Sequence, residues 1–286
     1  MSREFAALII DLKKSRTYSN KERYSIQYYI MDVINLLNRL YRKDIVRDVD
    51  FSAGDEIQGL FASPEAAYLY YRMFSMWLHP VEFRAGIGVG GWDIQIEGKG
   101  TTWQDGPAYH NARYAIENAD EAEGYPVLYC SGHRSDLTIN TIIGGAASIM
   151  AKQSPYQNQL MLLTEFLFPI CNDFVRAYDD VSPSDIAEIL HRKNYLDHEY
   201  EKFHRPLPID RITCDFIEVI SPINAEDVRY ENEFFVTSGR KRGIPTKLAS
   251  IMDISRQMVD KALKAGNIFT ARNMAIAALN EMTDYR

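Results

Sequence analysis

Residues Phe5 to Ile10 form an unbroken apolar run that stops abruptly at Asp11. A run this short, apolar on both alternating faces, reads as a strand buried on both sides of a sheet, with a carboxylate at its C-terminal end. The following segments restrict the choice further. Asn20 to Arg42 places Ile26, Ile30, Val33, Leu37 and Leu40 at helical spacing and ends in basic residues, as suits a helix C-terminus. Val46–Ala53 and Ile57–Phe61 are strand-like runs flanking Gly54-Asp55-Glu56, which predicts a hairpin with a carboxylate in its turn. Pro64 opens a helix to about Leu78.

Glu82–Val89 reads as a further strand, with another candidate at Trp92–Ile96, a helix over Gly106–Ala119 and a strand at Val127–Cys130. The order β-α-β-β-α-β followed by α-β is the ferredoxin-like arrangement and gives an α+β fold class. From about Ser131 longer helical segments take over. Tyr156–Tyr178 and a helix opened by Pro183-Ser184-Asp185 are expected, then a break at Pro206-Leu207-Pro208 and an extended segment over Ile212–Ile220. This divides the chain into a palm of residues 1–132, a helical middle of 133–222 and a C-terminal unit of 223–286.

The C-terminal unit carries its own pattern. Pro245–Met252 reads as a short helix with Leu248, Ile251 and Met252 inward; Asp253-Ile254-Ser255 makes a turn; Ser255 caps a second helix from Arg256 to Lys264; and Gly266-Asn267 stops it. Ala249 is small where two helices would cross, Ile254 plugs the corner, and Val259 and Leu263 face inward. This is the spacing of a helix-turn-helix. Asp253 stands where glycine is usual, and aspartate tolerates the left-handed conformation at some cost. The second helix exposes Arg256 and Gln257 at its N-terminal end, where base edges are reached. Lys261 and Lys264, with Arg240, Lys241 and Arg242 ahead of the motif, would meet phosphates.

Charge agrees with a local polyanion contact. The chain carries −7, yet residues 236–286 hold nine Lys/Arg against four Asp/Glu, a net of +5 that leaves −12 for the rest. DNA is therefore the expected partner, the alternative being a three-helix bundle used for protein contact, and a homodimer is the expected state, because a single helix-turn-helix grips weakly. No apolar stretch approaches a membrane span, and nothing at the N-terminus resembles a cleavable leader. Cys130, Cys171 and Cys214 are odd in number and widely spaced, which fits the cytoplasm.

In a ferredoxin-like sheet the strand ending at Asp11 neighbours the hairpin bearing Asp55. Two carboxylates converging there could hold Mg²⁺ or Mn²⁺ against a triphosphate; the plainer alternative is a strand end and a turn. Gly86-Ile87-Gly88-Val89-Gly90-Gly91 superficially matches a dinucleotide fingerprint, but no helix follows directly, so the glycines are expected to permit bends or close backbone approach. His110 reads as a packing or hydrogen-bonding histidine, and Tyr68-Leu69-Tyr70-Tyr71 as core and interface, not as a base-stacking platform.

Four motifs occur in order: Ile9-Ile10-Asp11, Ser52-Ala53-Gly54-Asp55-Glu56-Ile57-Gln58-Gly59-Leu60, Arg84-Ala85-Gly86-Ile87-Gly88 and Asp105-Gly106-Pro107-Ala108-Tyr109-His110-Asn111-Ala112-Arg113. Together they resemble the SatD family, whose palm looks like that of class III nucleotide cyclases and whose members commonly end in a helix-turn-helix. The resemblance implies metal-binding roles for Asp11 and Asp55 and nucleotide contacts from Asn111 and Arg113, although the spacing of these last two departs from the cyclase pattern. The purine-reading lysine of cyclases is absent, with Phe51 near its place, which counts against adenylate cyclase activity. Two functions follow as expectations: a DNA-binding, transcription-regulatory protein with a nucleotide-sensing palm, or a metal-dependent nucleotide-converting enzyme of the nucleotidyl-cyclase type, with the C-terminal unit as a control or targeting element.

Overall fold

The computed structural model describes residues 3–13, 19–122, 124–172, 181–200, 221–231 and 235–284. The break expected at Pro206–Pro208, the extended segment at Ile212–Ile220 and Cys214 lie outside them. Mixed α and β structure results, with a five-stranded sheet and ten helices among the described residues.

The first strand, β1 (Phe5–Leu12), is central. It is followed by α1 (Asn20–Leu40), β2 (Ile45–Ala53), β3 (Glu56–Phe61), α2 (Pro64–Leu78), β4 (Phe83–Gly90), α3 (Pro107–Glu121) and β5 (Val127–Cys130), and the sheet order is β2-β3-β1-β4-β5. β1 runs antiparallel to both β3 and β4, while β5 joins β4 in parallel after the α3 crossover. The expected strand at Trp92–Ile96 does not form. Only Ile94 bridges to Asp105, and the segment loops outward with Ile94 and Ile96 exposed.

Local sequence explains the helix starts. Ser19 and Glu22 close a reciprocal capping box on α1, satisfying two backbone donors that a helix start otherwise leaves unpaired. Ser63 accepts from the Ala66 N–H, and Pro64 occupies the first turn of α2, where no amide donor is missed.

Alternation along β1 sorts its side chains onto two faces. Ala6, Leu8, Ile10 and Leu12 join the large core beneath α1 and α2; Ala7 and Ile9 join a smaller one beneath α3, with Leu60, Ala108, Tyr109, Ala112 and Ile116. The tyrosines of Tyr68-Leu69-Tyr70-Tyr71 are buried in the large core. The glycines of β4 explain how α3 fits. Gly86, Gly88 and Gly90 pair with Ile9, Ala7 and Phe5 and so face α3. A Cβ at Gly88 would lie 1.9 Å from the Ala112 nitrogen and 2.3 Å from the Ala108 carbonyl oxygen. The glycine run is thus a seat for a helix backbone, the close approach expected from the sequence.

Beyond the sheet lie α4 (Asp136–Ala151), α5 (Pro155–Leu167), the short strand β6 (Ile170–Cys171), α6 (Pro183–Tyr200), β7 (Ile223–Asn224), which pairs with β6, and α7 (Ala225–Glu231). The helix expected to run from Tyr156 to Tyr178 ends at Leu167. Pro169 lacks an amide hydrogen and clashes with a continuing helix, and the chain turns into β6. The last three helices are α8 (Ile244–Met252), α9 (Arg256–Ala265) and α10 (Ile268–Asp284). Helix α10 packs on α4, α7, α9 and α2, and α5 packs on α2, α8 and α9, so one apolar core runs from the sheet to the C-terminal helices.

A buried ion cluster crosses the same boundary. Arg72 of α2 and Arg272 of α10 both donate to the carboxylate of Glu165 on α5, and each of the three is at most 1% exposed. Arg272 also donates to the carbonyl oxygens of Gly239 and Phe168, and Glu165 accepts from the Ile170 amide. No described helix is long and apolar enough to cross a membrane.

Candidate functional site

Asp11 lies on the α3 face of β1 near its C-terminal end. Register sets Glu56 opposite it on β3 and Arg84 opposite it on β4. The Arg84 Nε donates to Asp11 Oδ2 at 2.9 Å, and its Nη2 lies 2.8 Å from the same oxygen. Beside this pair, the Arg113 guanidinium forks onto both carboxylate oxygens of Glu56, with Nη2 at 2.8 Å from Oε1, and the Ser52 hydroxyl donates to the same Oε1 at 2.8 Å. Arg113 holds the Glu56 carboxyl below its usual range, with Ser52 assisting and partial burial opposing. Glu56 in turn raises Arg113. Asp55 is half-buried in the turn next to Glu56, after Gly54, whose φ of +63° suits glycine.

This end of the sheet therefore carries three carboxylates and two guanidinium groups. The structure brings Asp11 opposite Glu56, and places Asp55 one residue further into the turn. Asn111 and Arg113 share helix α3 but are engaged differently. The Asn111 amide donates to the Val89 carbonyl oxygen at 2.7 Å and fastens α3 to β4, whereas Arg113 reaches across to β3. His110 is exposed and its Nε2 lies 2.9 Å from Asp105 Oδ1. Glu56 and Arg84 were not singled out from the sequence. The signal was present in the antiparallel register, which sets both opposite Asp11 once β1 is central.

No group of three or more His, Cys, Asp or Glu side chains gathers in metal-ligating geometry among the described residues. The carboxylates at this end of the sheet are Asp11, paired with Arg84, Glu56, paired with Arg113, and Asp55. Mg²⁺ is commonly held by one or two carboxylates with the rest of its shell from water and substrate phosphates, and Asp11 would have to leave Arg84 to serve as one of them. Arg84 and Arg113 are suited to the phosphate oxygens.

A second candidate site lies on α9. Asp253 adopts φ 50°, ψ 46° at the end of α8, and Ser255 caps α9 by accepting from the Met258 amide at 3.3 Å. Val259 and Leu263 are buried beneath α9, with Leu248, Ala249 and Met252 of α8. Arg256, Gln257, Lys261 and Lys264 are all exposed, and Arg256 lies 3.6 Å from Asp260 on the next turn. Ahead of α8, Arg242 is exposed and Lys241 half-buried. Arg240 is exposed, with its guanidinium 5.7 Å from the centre of the Phe269 ring. The α9 stop differs in detail from expectation: Gly266 is in ordinary backbone geometry and Asn267 takes the left-handed residue, φ 48°.

Fold and site together define an α+β protein in which a mixed five-stranded sheet, bearing an arginine–carboxylate cluster at one end, shares its core with a bundle of C-terminal helices. Within that class the chain is placed by comparison with protein families: residues 5–201 match the SatD family (SatD), and the chain belongs to it. No curated protein compared with the chain matches it.

Proposed function

We propose that this chain is a DNA-binding, transcription-regulatory protein of the cytoplasm, acting as a homodimer, in which α8 and α9 form a helix-turn-helix and α9 enters the major groove. The observation that carries the reading is the exposed stripe of α9. Arg256, Gln257, Lys261 and Lys264 stand clear of the body on a helix whose opposite side, Val259 and Leu263, is buried. The left-handed Asp253 corner supplies the sharp turn such a pair needs. Lys261, Lys264, Arg240, Lys241 and Arg242 would take phosphates, while Arg256 and Gln257 would reach base edges.

The test is fluorescence anisotropy of the full chain with duplex DNA across a salt series. Each phosphate that a cationic side chain no longer neutralises should lower the slope of log K against log salt by about 0.9. Replacing Lys261 and Lys264 with Ala should therefore flatten the slope by about 2 for each protomer bound. Arg256→Ala should cost about 1–3 kcal/mol on a preferred sequence and relax its preference. Unchanged affinity and slope with all three residues replaced would sink the reading.

A second reading concerns the palm, residues 1–132. Its order β2-β3-β1-β4 with α1 and α2 on one face supports a ferredoxin-like, cyclase-like palm. The pairing of Asp11 with Arg84 and of Glu56 with Arg113, beside Asp55 at one end of the sheet, favours a site for a nucleotide and Mg²⁺ or Mn²⁺. Asn111 and Arg113 could contact that nucleotide only by leaving Val89 and Glu56. The alternative function is then metal-dependent nucleotide conversion. Incubation with each nucleoside triphosphate and either ion tests it: turnover abolished by Asp55→Ala supports an enzyme, and no turnover under any condition rejects one.

A further inference from the structure

A cavity of about 610 Å³ opens at the end of the sheet where β1 stops and β4 and β5 begin. Its walls come from the C-terminal ends of α2, α3 and α4 and from the start of α5. The volume falls within the range of roughly 300–1,000 Å³ that holds small organic ligands. Tyr71, Phe83, Ala147 and Met150 give it apolar and aromatic walls, and the polar side chains of His79 and Asn158 stand among them.

Those two side chains are the informative ones. Asn158 is fully buried, and among the described residues neither its amide nitrogen nor its amide oxygen has a hydrogen-bond partner. The Nδ1 of His79 is likewise buried without one. Buried polar groups are almost always satisfied, and those that are not call for a missing partner. Here three such atoms belong to residues lining one cavity. Burial, with help from Lys193 and against a hydrogen bond to the Gln153 backbone, pushes the His79 imidazole down to about 3, so it stays neutral at physiological pH and Nδ1 is the nitrogen left without a partner.

We propose that this cavity is a binding site for a flat, uncharged heterocycle of nucleoside size, recognised through the side chain of Asn158. A carboxamide presents a donor and an acceptor side by side, complementary to the amide or amidine edge of a nucleobase, and asparagine pairs with adenine in this way. The aromatic walls suit the faces of such a ring. Charge at the cavity favours no strong anion, since Lys13 and Lys152 are offset by Glu82 and Glu121. The proposal depends on neither reading above. It needs no DNA, no metal and no phosphate.

The experiment uses the full chain in EDTA, titrated calorimetrically with adenosine, guanosine, cytidine and uridine, with thermal unfolding in parallel. At least one nucleoside should bind saturably and raise the unfolding midpoint. Asn158→Leu, which keeps the shape and removes the unpaired amide, should weaken that binding by about tenfold or more while leaving the ligand-free midpoint unchanged or higher. Should that variant fail to fold, Ser148→Trp at the cavity wall supplies the same test by blocking the space. Absence of binding by all four nucleosides would mean that water alone fills the cavity and would overturn the proposal. So would binding that survives the folded variants.

Discussion

Arg272, near the start of the last helix, and Glu165, on α5, form an ion pair that is completely buried, and Arg72 of α2 closes on the same carboxylate from the side of the sheet. Three helices far apart in sequence are thus joined at a point without solvent. Glu165 stands between two guanidinium groups, so its removal leaves both cations uncompensated in the interior, which costs about 3–5 kcal/mol. Glu165→Gln should therefore destabilise the whole chain by that amount in urea unfolding. Trp77, buried in α2 against Phe166, provides the fluorescence signal. A loss confined to the C-terminal helices, with the Trp77 transition unmoved, would show that the sheet with its helices and the C-terminal helices unfold separately.

The seat of α3 gives a second expectation. At Gly88 an added methyl would meet the backbone of Ala108 and Ala112 well inside contact distance, and backbone cannot swing aside as a side chain end can. Gly88→Ala should cost about 2–3 kcal/mol or more. Gly100 has nothing within 4 Å of an added Cβ and a φ of −66°, so Gly100→Ala should be within about 0.5 kcal/mol of the parent. Equal stability of the two variants would contradict the packing of α3 on β4.

Local signals made much of this fold legible. The β1 run, the Ser63-Pro64 start of α2 and the Val127–Cys130 strand are each specified by neighbouring residues, and each forms where its sequence places it. The glycines of β4 were readable as a close approach because no other residue type would repeat there for that purpose. The arginine pairings were not readable. Arg84 meets Asp11 across 73 residues and Arg113 meets Glu56 across 57, so each depends on strand order and register that no single segment encodes. Arg72, Glu165 and Arg272 sit on helices where a charged side chain ordinarily marks the solvent side; only the three-dimensional packing buries them together.

Two titrations act in opposite directions on stability. Burial lowers His79 from 6.5 to about 3, so the unfolded chain takes the proton first as pH falls. The stability this neutral imidazole contributes is complete above pH 6.5 and is lost as pH falls through the window toward 3. Burial raises Asp44 from 3.8 to about 6, with Lys43 opposing. Its contribution is complete below 3.8 and is lost as pH rises through 6. Asp44→Asn should thus stabilise the protein by about 1 kcal/mol at pH 7–8, less than the full shift implies because water screens a half-exposed carboxylate, with the gain vanishing near pH 4. His79→Gln should remove about 1 kcal/mol of the acid-side loss for each pH unit below 6. Chemical denaturation at half-unit intervals from about pH 4 to 8 checks both, and a profile of Asp44→Asn parallel to the parent would reject the first.

The corner between α8 and α9 offers the sharpest local test. Asp253 is held at φ 50° and ψ 46°, and the Ile254 amide bonds back to the Ala249 carbonyl oxygen at 3.1 Å, so the geometry is fixed by a turn that the next helix requires. A side chain in the left-handed region costs about 1–2 kcal/mol in general, less for aspartate, and glycine carries no such penalty. Against this, glycine makes the unfolded chain more flexible, which offsets part of the gain. Asp253→Gly should therefore stabilise by somewhat under about 1 kcal/mol. It also removes a negative charge from the turn ahead of Arg256, so DNA affinity at low salt should rise slightly if α9 meets DNA. Asp253→Ala keeps the Cβ and loses the aspartate's tolerance of this conformation, and should destabilise. The pair separates backbone strain from charge: if both variants move stability in the same direction, the left-handed conformation of residue 253 is not what limits the corner.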